Sequence, residues 1–220
     1  TCFQSIDFKY VIQFIYYFII MKVLLQKFFN RPTLIVAKDL LGRYLVRRIG
    51  KNISKYLITE VEAYDGFKDK ASHASRGKTL RNAPMFGEAG IWYVYFTYGM
   101  HHMLNIVTGP KNYPAAILIR GLRDPTPDPR GRIPVRLKRL GLNGPGKRTK
   151  YLKIDKRFNN KIAAPKTGLW IAAPTLSERA SLKNKFLSGK IKIENSPRIG
   201  VNYAGPTWSK KPWRFTLVNT

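Results

Sequence analysis

The sequence contains little cysteine and little acidic charge. Cys2 is the only cysteine among 220 residues, which excludes an internal disulfide and a metal site built from several cysteines. Asp and Glu together number 12, against 40 Lys and Arg, so the formal net charge is +28. Since 44% of the residues are hydrophobic and the basic residues are spread along the chain, we expect a folded basic domain. Nucleic acid is its leading expected partner, bound through phosphates; an anionic membrane surface and a ribosomal partner are the alternatives.

A hydrophobic run of membrane-spanning length is also lacking. Residues 10–21 read YVIQFIYYFIIM, whereas a spanning helix needs about 20 apolar residues. No small-residue cleavage site of a signal peptide follows. We interpret residues 1–20 as a non-native or optional extension and residues 21–220 as one domain, with a membrane anchor as the alternative for the extension.

The scarce acidic residues are concentrated in one stretch. Four carboxylates lie within ten positions: Glu60, Glu62, Asp65 and Asp69. Negative charge near a bound polyanion is unfavourable unless a carboxylate takes part in a reaction. The stretch therefore indicates catalysis, and a solvated acidic turn that balances Lys68 and Lys70 is the alternative.

The hydrophobic patterns predict an α+β fold without the regular alternation of a Rossmann sheet. A helix is predicted over residues 32–41, ended by Gly42. Strands are predicted over residues 43–49, 53–64, 91–98, 115–120, 168–173, 190–194, 199–204 and 214–218, with a hairpin turn at residues 50–52. Residues 124–145 are interpreted as a long basic loop. We expect a single compact domain built on a mixed, mainly antiparallel curved sheet with flanking helices.

The second predicted strand carries part of the acidic stretch. Its two-residue period places four side chains on one face: Ile58, Glu60, Glu62 and Tyr64. Glu62 and Tyr64 are therefore expected on the same side of the sheet.

Aromatic residues are concentrated in IWYVYFTY, residues 91–98. Tyr93, Tyr95 and Tyr98 offer flat faces on which a nucleobase can stack. We assign the remaining large side chains of this run to core packing: Trp92, Val94 and Phe96.

Several polar side chains complete a possible reaction centre. A lone histidine such as His73 is more often structural than catalytic. Together with a carboxylate, the tyrosines, Asn105 and Arg120, however, it forms the set required to extrude a damaged base and hydrolyse its glycosidic bond.

A glycine-rich segment follows the basic loop. Gly141 and Gly146-Lys147 almost form a phosphate-binding loop, but Arg148 stands where Ser or Thr is needed. We predict instead that Pro145 opens a helix whose first turn, with Lys147 and Arg148, contacts a DNA phosphate; a plain turn is the alternative.

We expect no metal and no cofactor. His101 and His102 are adjacent, but no cluster with metal-ligand spacing accompanies them in the sequence.

Several ordered motifs resemble one known family from about residue 31 onwards. They are Glu62-Ala63-Tyr64, Ser72-His73, Arg81-Asn82-x-x-Met85-Phe86, Tyr93-Val94-Tyr95-x-x-Tyr98-Gly99-Met100, Leu104-Asn105, Ile117-Leu118-Ile119-Arg120, Asn143-Gly144-Pro145-Gly146-Lys147 and Pro212-Trp213-Arg214-Phe215. This series resembles the 3-methyladenine (alkylpurine) DNA glycosylases. The segment after Arg120 departs from the family, because Gly-Leu-Arg-Asp-Pro stands where members commonly show Ala-Leu-Glu-Pro.

The resemblance implies a role for each matched residue. Glu62 would activate the water that attacks C1′, and Arg120 would help to hold that water. The other implied roles are a sandwich around the flipped base by Tyr64, His73 and Tyr95, exclusion of guanine by Asn105, insertion of Tyr98 into the duplex, and contacts to the DNA backbone by Arg81, Lys147 and Arg148.

The resemblance thus implies a monofunctional DNA glycosylase that removes alkylated, and by extension deaminated, purines from double-stranded DNA. We expect a monomer with no membrane partner, located with the chromosome in a bacterial cytoplasm, or in a nucleus or organelle. A non-catalytic basic nucleic-acid-binding protein and an inactive glycosylase homologue are the alternatives.

Overall fold

The computed structural model describes residues 21–125 and 144–219. In this part of the chain, one sheet contains eight strands: β1 (Tyr44–Ile49), β2 (Asn52–Asp65), β3 (Trp92–Thr97), β4 (His101–Val107), β5 (Ala115–Arg123), β6 (Leu169–Ala172), β7 (Ile191–Ser196) and β8 (Arg214–Asn219). The α-helices of the described residues are α1 (Gln26–Phe29), α2 (Thr33–Leu40), α3 (Pro145–Tyr151), α4 (Leu176–Leu187) and α5 (Gly205–Ser209). The predicted extension, residues 1–20, and most of the predicted basic loop lie outside the described residues.

The sheet is antiparallel at each pairing between these strands. Its order is β3-β4-β5-β2-β1-β6, and β8 pairs with both β2 and β7. The long strand β2 pairs first with β1 and then, beyond the end of β1, with β8. These pairings confirm the α+β domain on a mainly antiparallel, curved sheet.

The main core lies between the sheet and helices α1 and α2. Val36, Ala37 and Leu40 are buried on one side of α2, as the helical period predicts. Pro32 precedes the helix, and Gly42, with φ 80°, follows it. The predicted helix is therefore confirmed, with ends one residue inside those expected.

The hairpin between β1 and β2 is confirmed as well. Ile49 pairs with Asn52, so Gly50 and Lys51 form a two-residue loop. Gly50 has φ 58°, as the first loop position of a type II′ turn requires.

A bulge in the β2–β5 pairing changes which residues share a face. The pairing runs from Ile58↔Leu122 to Glu60↔Gly121 and Val61↔Ile119, so it skips Thr59 and Arg120. Ile58 consequently lies in the main core with Val61, and the prediction that it shares a face with Glu62 is wrong. The bulge brings the backbones so close that a Cβ on Gly121 would lie 2.7 Å from the backbone nitrogen of Glu60.

Several elements differ from the sequence predictions, and the short helices α1 and α5 are among those not predicted. β4 and α4 were not predicted, because the paired histidines of β4 break its apolar pattern and α4 has no buried residue. The predicted strand over residues 199–204 is wrong: Asn202–Ala204 is a 3-10 helix. Gly200 and Gly205 have φ near 80° there, which is incompatible with extended backbone.

The basic segment has the predicted helix at its end. Pro145 is the first residue of α3, which confirms that it opens a helix. Gly146 lies against His101 of β4, where a Cβ would approach the imidazole to 2.5 Å. No helix in residues 21–125 or 144–219 is long and apolar enough to cross a membrane.

Candidate active site

A cleft of about 910 Å³ lies on the sheet face opposite the main core. Strand alternation builds it: Trp92 and Val94 of β3 enter the core, whereas Tyr93 and Tyr95 face the cleft. Of the residues predicted from the sequence, the cleft is lined by Tyr64, His73, Tyr95, Tyr98, Asn105 and Arg120.

Glu62 lies beneath the cleft rather than on its surface. Its side chain is fully buried, and three donors surround the carboxylate. Oε1 accepts a hydrogen bond from the backbone N–H of Ile199 at 2.8 Å. Oε2 accepts from the Tyr64 hydroxyl at 2.9 Å and from Arg120 Nη1 at 3.3 Å. All three donor residues line the cleft. The carboxylate is therefore separated from the cleft only by the residues that bind it.

Burial dominates the acidity of Glu62. Desolvation raises its pKa above the ordinary value, and the charge of Arg120 and the hydrogen bonds from Ile199 and Tyr64 oppose that rise. Glu60 adds a smaller increase. A carboxylate with a raised pKa is a stronger base than an exposed one, which suits it to accepting a proton from water.

The bulge in the β2–β5 pairing aims Arg120 at two carboxylates of β2, Glu60 and Glu62. Its Nε lies 3.4 Å from Glu60 Oε1, while Nη1 reaches Glu62. Arg214 of β8 also donates to Glu60 Oε1, at 3.1 Å. Bulges next to functional sites commonly re-aim a side chain in this way, and here the bulge places one guanidinium between two acids.

Aromatic rings form one wall of the cleft. The ring centroids of His73 and Tyr95 are 4.6 Å apart, and those of Tyr93 and Tyr95 are 5.3 Å apart. Nδ1 of His73 hydrogen-bonds with the Tyr93 hydroxyl at 2.8 Å. The guanidinium of Arg81 lies 5.2 Å above the Tyr95 ring.

His73 is a neutral group in this wall at physiological pH. Burial and, to a lesser extent, the nearby charge of Arg81 lower its pKa to about 4. Its backbone carbonyl accepts a hydrogen bond from Asn82 Nδ2 at 2.8 Å, so Asn82 fixes the loop that carries the histidine.

Asn105 is held rigidly on β4. Its Nδ2 donates to the carbonyl of Tyr93 at 3.0 Å and to that of Met103 at 3.3 Å. The side chain is buried yet borders the cleft, so the amide presents a fixed surface to a bound group.

The turn between β3 and β4 projects from the rim of the cleft. Tyr98 is 79% exposed and Met100 is 67% exposed, so two large side chains of this turn are open to a bound molecule. Tyr98 has φ 52°, in the left-handed region. Phe96 is 51% exposed, so its assignment to core packing is wrong: it lies at the end of β3, where the sheet leaves the core.

The three residues predicted to contact the DNA backbone differ in their surroundings. Arg81 and Lys147 are exposed, and Arg81 Nη2 donates to the carbonyl of Phe96 at 3.3 Å. Arg148 is half-buried and its Nη1 donates to the carbonyl of Arg120. Arg148 therefore also braces the strand that carries Arg120.

Sequence reasoning missed three contributors to the site. Ile199 supplies a backbone N–H to Glu62, and no side-chain pattern signals such a donor. Tyr203 borders the cleft, and its hydroxyl donates to the carbonyl of Ala71 at 2.8 Å. Arg198 is buried, donates to the carbonyl of Ala63 next to Glu62, and forms an ion pair with Asp69. The sequence pattern singled out Asp69 as part of the acidic stretch but did not indicate its partner.

The described residues hold no group of three or more His, Cys, Asp or Glu that could bind a metal ion.

Comparison with known proteins identifies the family. The sequence profile of methylpurine-DNA glycosylases matches residues 27–220. Two similar proteins carry the name "Putative 3-methyladenine DNA glycosylase". The one from Sodalis glossinidius is 50% identical over 196 residues, covering 88% of this chain and 95% of the relative. The one from Methanocella arvoryzae is 40% identical over 204 residues, covering 91% and 94%. The chain belongs to the methylpurine-DNA glycosylase family.

Proposed function

We propose that this glycosylase flips alkylated, and also deaminated, purines out of duplex DNA into the cleft and hydrolyses their N-glycosidic bond with a water activated by Glu62. The observation that carries the proposal is the fully buried Glu62 carboxylate, bound by Arg120 and Tyr64 directly behind an aromatic cleft. A protein that only bound DNA would gain nothing from a carboxylate there, because burying it is costly.

The reaction needs one proton acceptor and one oxygen nucleophile. A water held between Arg120 and Glu62 would form a bond from its oxygen to C1′ and give its proton to Glu62. The bond between C1′ and the purine nitrogen breaks, and its electron pair leaves with the base. An alkylated cationic purine becomes neutral on leaving, whereas hypoxanthine also needs a proton or hydrogen bond to stabilise the departing anion.

Recognition of the base follows from the charge state of the wall. Tyr64, Tyr95 and His73 would stack on the flipped purine, and electron-rich ring faces attract a cationic base. Because burial holds the pKa of His73 at about 4, the imidazole is neutral and does not repel that positive charge. The rigid amide of Asn105 would exclude guanine by crowding its exocyclic amino group.

The DNA partner would be held by charge around the cleft. Arg81 and Lys147 are exposed on the chain segments that border it, and Arg148 lies nearby. Phosphate contacts of this kind make binding strongly dependent on salt. We propose that the protein acts as a monomer on chromosomal DNA.

A base-release assay tests the proposal. We expect single-turnover release of the free base from duplexes carrying hypoxanthine or ethenoadenine and from randomly methylated DNA. The strand should stay intact until alkali cleaves the abasic site, and borohydride should trap no covalent adduct. Tight, salt-sensitive binding without release from any of these DNAs would instead identify a non-catalytic binding protein or an inactive homologue.

Replacement of Tyr98 tests the flipping step. The exposed ring would fill the gap left by the flipped base and offset part of an unstacking cost of a few kcal/mol. We expect Tyr98→Ala to slow excision from duplex DNA about 10- to 100-fold and to change excision from single-stranded DNA much less. Leu187→Ala is the matched control, because Leu187 is 76% exposed but does not border the cleft. Equal rates for wild type and Tyr98→Ala on duplex DNA would contradict the insertion.

A further inference from the structure

A fully buried ion pair lies beside the candidate active site. Arg198 and Asp69 form two parallel contacts, Nη1 to Oδ2 at 2.5 Å and Nη2 to Oδ1 at 2.8 Å. Both side chains are completely inaccessible to solvent. Neither residue can touch DNA or a base, so any role in the reaction has to act through other groups.

The pair joins two segments that surround Glu62. Arg198 Nη1 also donates to the carbonyl of Ala63, at 2.9 Å, directly after Glu62 in β2. The carboxylate of Asp69 accepts further hydrogen bonds from the backbone N–H of Asp65 at 3.2 Å and from that of Ala71 at 3.1 Å. The loop that follows β2 and the segment before Ile199 are thereby fixed to each other and to the strand.

Two of the three donors to Glu62 depend directly on this geometry. Ile199, whose N–H binds Oε1, is the next residue after Arg198. The Arg198 guanidinium also lies 4.8 Å above the ring of Tyr64, whose hydroxyl binds Oε2. A displacement of the guanidinium would therefore move both donors.

Stability alone is a weak reason for such a pair. Replacing a buried ion pair with apolar residues is often neutral or stabilising, because desolvation of the charges offsets their attraction. In this pair one donor, Arg198 Nε, is buried without a hydrogen-bond partner among the described residues. The arrangement is therefore better explained by a role in holding the Ile199 backbone and the Tyr64 ring in one geometry than by a contribution to stability.

We propose that Asp69 and Arg198 are positioning residues for Glu62, whose ion pair fixes the Ile199 N–H and the Tyr64 ring against the carboxylate. The inference rests on the proposed role of Glu62 as the base. It predicts that disturbing the pair changes the acidity of Glu62 as well as the rate of excision, although neither residue touches substrate.

The direction of the change follows from the groups that face Glu62. They are Glu60 and Tyr64 of β2, Tyr95 of β3, Arg120 of β5, and the Ile199 N–H with Tyr203 from the segment after β7. A hydrogen bond to the ionised carboxylate lowers its pKa. When the Ile199 donor moves away, the pKa of Glu62 rises. Excision requires the ionised form, so as the pH falls the activity is lost at a higher pH than in the wild type.

Arg198→Lys tests the proposal, because lysine keeps the charge but cannot reproduce the two-pronged contact. Single-turnover excision is measured from pH 4.5 to 9 on the full chain. We expect the plateau rate to fall about 10- to 100-fold and the midpoint of the acid limb to move to higher pH. Affinity for a duplex carrying a tetrahydrofuran abasic site should stay at the wild-type value.

A second buried arginine provides the matched control. Arg47 donates to the carbonyls of Leu152 and Gly168, away from the cleft. Arg47→Lys should lower Tm but leave the plateau rate per folded molecule and the acid-limb midpoint unchanged. If Arg198→Lys does not fold, Asp69→Glu, which keeps the charge and lengthens the side chain, should give the same upward shift.

The outcomes separate this proposal from the one on which it rests. Wild-type rate and wild-type midpoint in both Arg198→Lys and Asp69→Glu would overturn the positioning role. Full activity of Glu62→Gln would overturn the role of Glu62 itself, whatever the arginine variant shows.

Discussion

We expect excision by Glu62→Gln to fall about 10²- to 10⁴-fold, while binding to damaged duplex DNA is preserved or tightened. Glutamine has nearly the same shape, and its carbonyl oxygen can still accept the hydrogen bond from Ile199. It cannot take a proton from water, and loss of a general base typically costs this much in rate. Single-turnover base release and a binding titration at one salt concentration measure the two effects.

The variant should also remain stable. Burial raises the pKa of Glu62, so the folded protein binds this proton more tightly than the unfolded chain does. The contribution of protonated Glu62 to the stability of the folded protein is fully present below the pKa that Glu62 has in the unfolded chain. It is lost as pH rises through the higher pKa of the folded state. At neutral pH the buried charge is therefore a net cost that Glu62→Gln removes. Because the amide nitrogen of glutamine could not accept the hydrogen bond from Arg120 Nη1, the two effects oppose each other, and we expect only a small change in Tm.

Glu60→Gln is the control for charge alone. Glu60 lies two residues away on β2 and contacts the same Arg120, but it is partly exposed. We expect its replacement to reduce excision less than tenfold, in line with a partly exposed ion pair. Equal losses from both variants, or a loss of DNA binding by well-folded Glu62→Gln, would contradict the assignment of the base.

The sequence predicted most elements whose pattern is local. The helix over residues 32–41 and the β1–β2 hairpin follow from apolar spacing, Pro and Gly, and the structure has both. The face of Ile58 could not be predicted in the same way, because the bulge at Thr59 depends on pairing with β5, a distant segment. The helix α4 has no buried residue, although Thr175 and Glu178 form a capping box that could have indicated its start.

The candidate site shows the same division. The six predicted residues that line the cleft are brought together from separate elements, and their side-chain chemistry was visible in the sequence. The Ile199 donor was not, since any residue carries a backbone N–H. The role of Arg198 was hidden as well, because one arginine among 40 Lys and Arg gives no sign of being fully buried.

The acidic stretch proves to contain carboxylates in four different environments. Glu62 is buried at the cleft, and Glu60 contacts Arg120 and Arg214. Asp65 accepts a hydrogen bond from Thr33, and Asp69 is the partner of Arg198. The alternative interpretation, a solvated turn balancing Lys68 and Lys70, is therefore wrong for the two fully buried members.

Asp69→Ala should be among the most destabilising single substitutions in the described chain. It leaves Arg198 charged and unpaired in a site with no solvent access, and breaking a buried pair in this way costs about 3–5 kcal/mol. For a domain of this size, that corresponds to a fall in Tm of roughly 6–20 °C. Thermal unfolding followed by circular dichroism measures it.

An exposed pair gives the comparison. Asp155 also contacts an arginine through both carboxylate oxygens, but the side chain of Arg157 is 76% exposed. Water replaces the lost ion-pair partner there, and the loss of the hydrogen bond that Asp155 accepts from the backbone N–H of Arg157 typically costs about 1 kcal/mol. Asp155→Ala should therefore lower Tm clearly less than Asp69→Ala. Similar shifts for the two variants would mean that burial of the Asp69–Arg198 pair has little energetic consequence.

The double variant Asp69→Leu/Arg198→Met separates stability from positioning. It removes both charges, so no unpaired ion remains, and we expect it to recover most of the Tm lost in Asp69→Ala. Excision should stay impaired, because apolar side chains cannot hold the Ala63 carbonyl or the backbone N–H of Asp65. Recovery of both Tm and excision rate would show that the pair serves stability alone; recovery of Tm without the rate would show that its geometry is needed by Glu62.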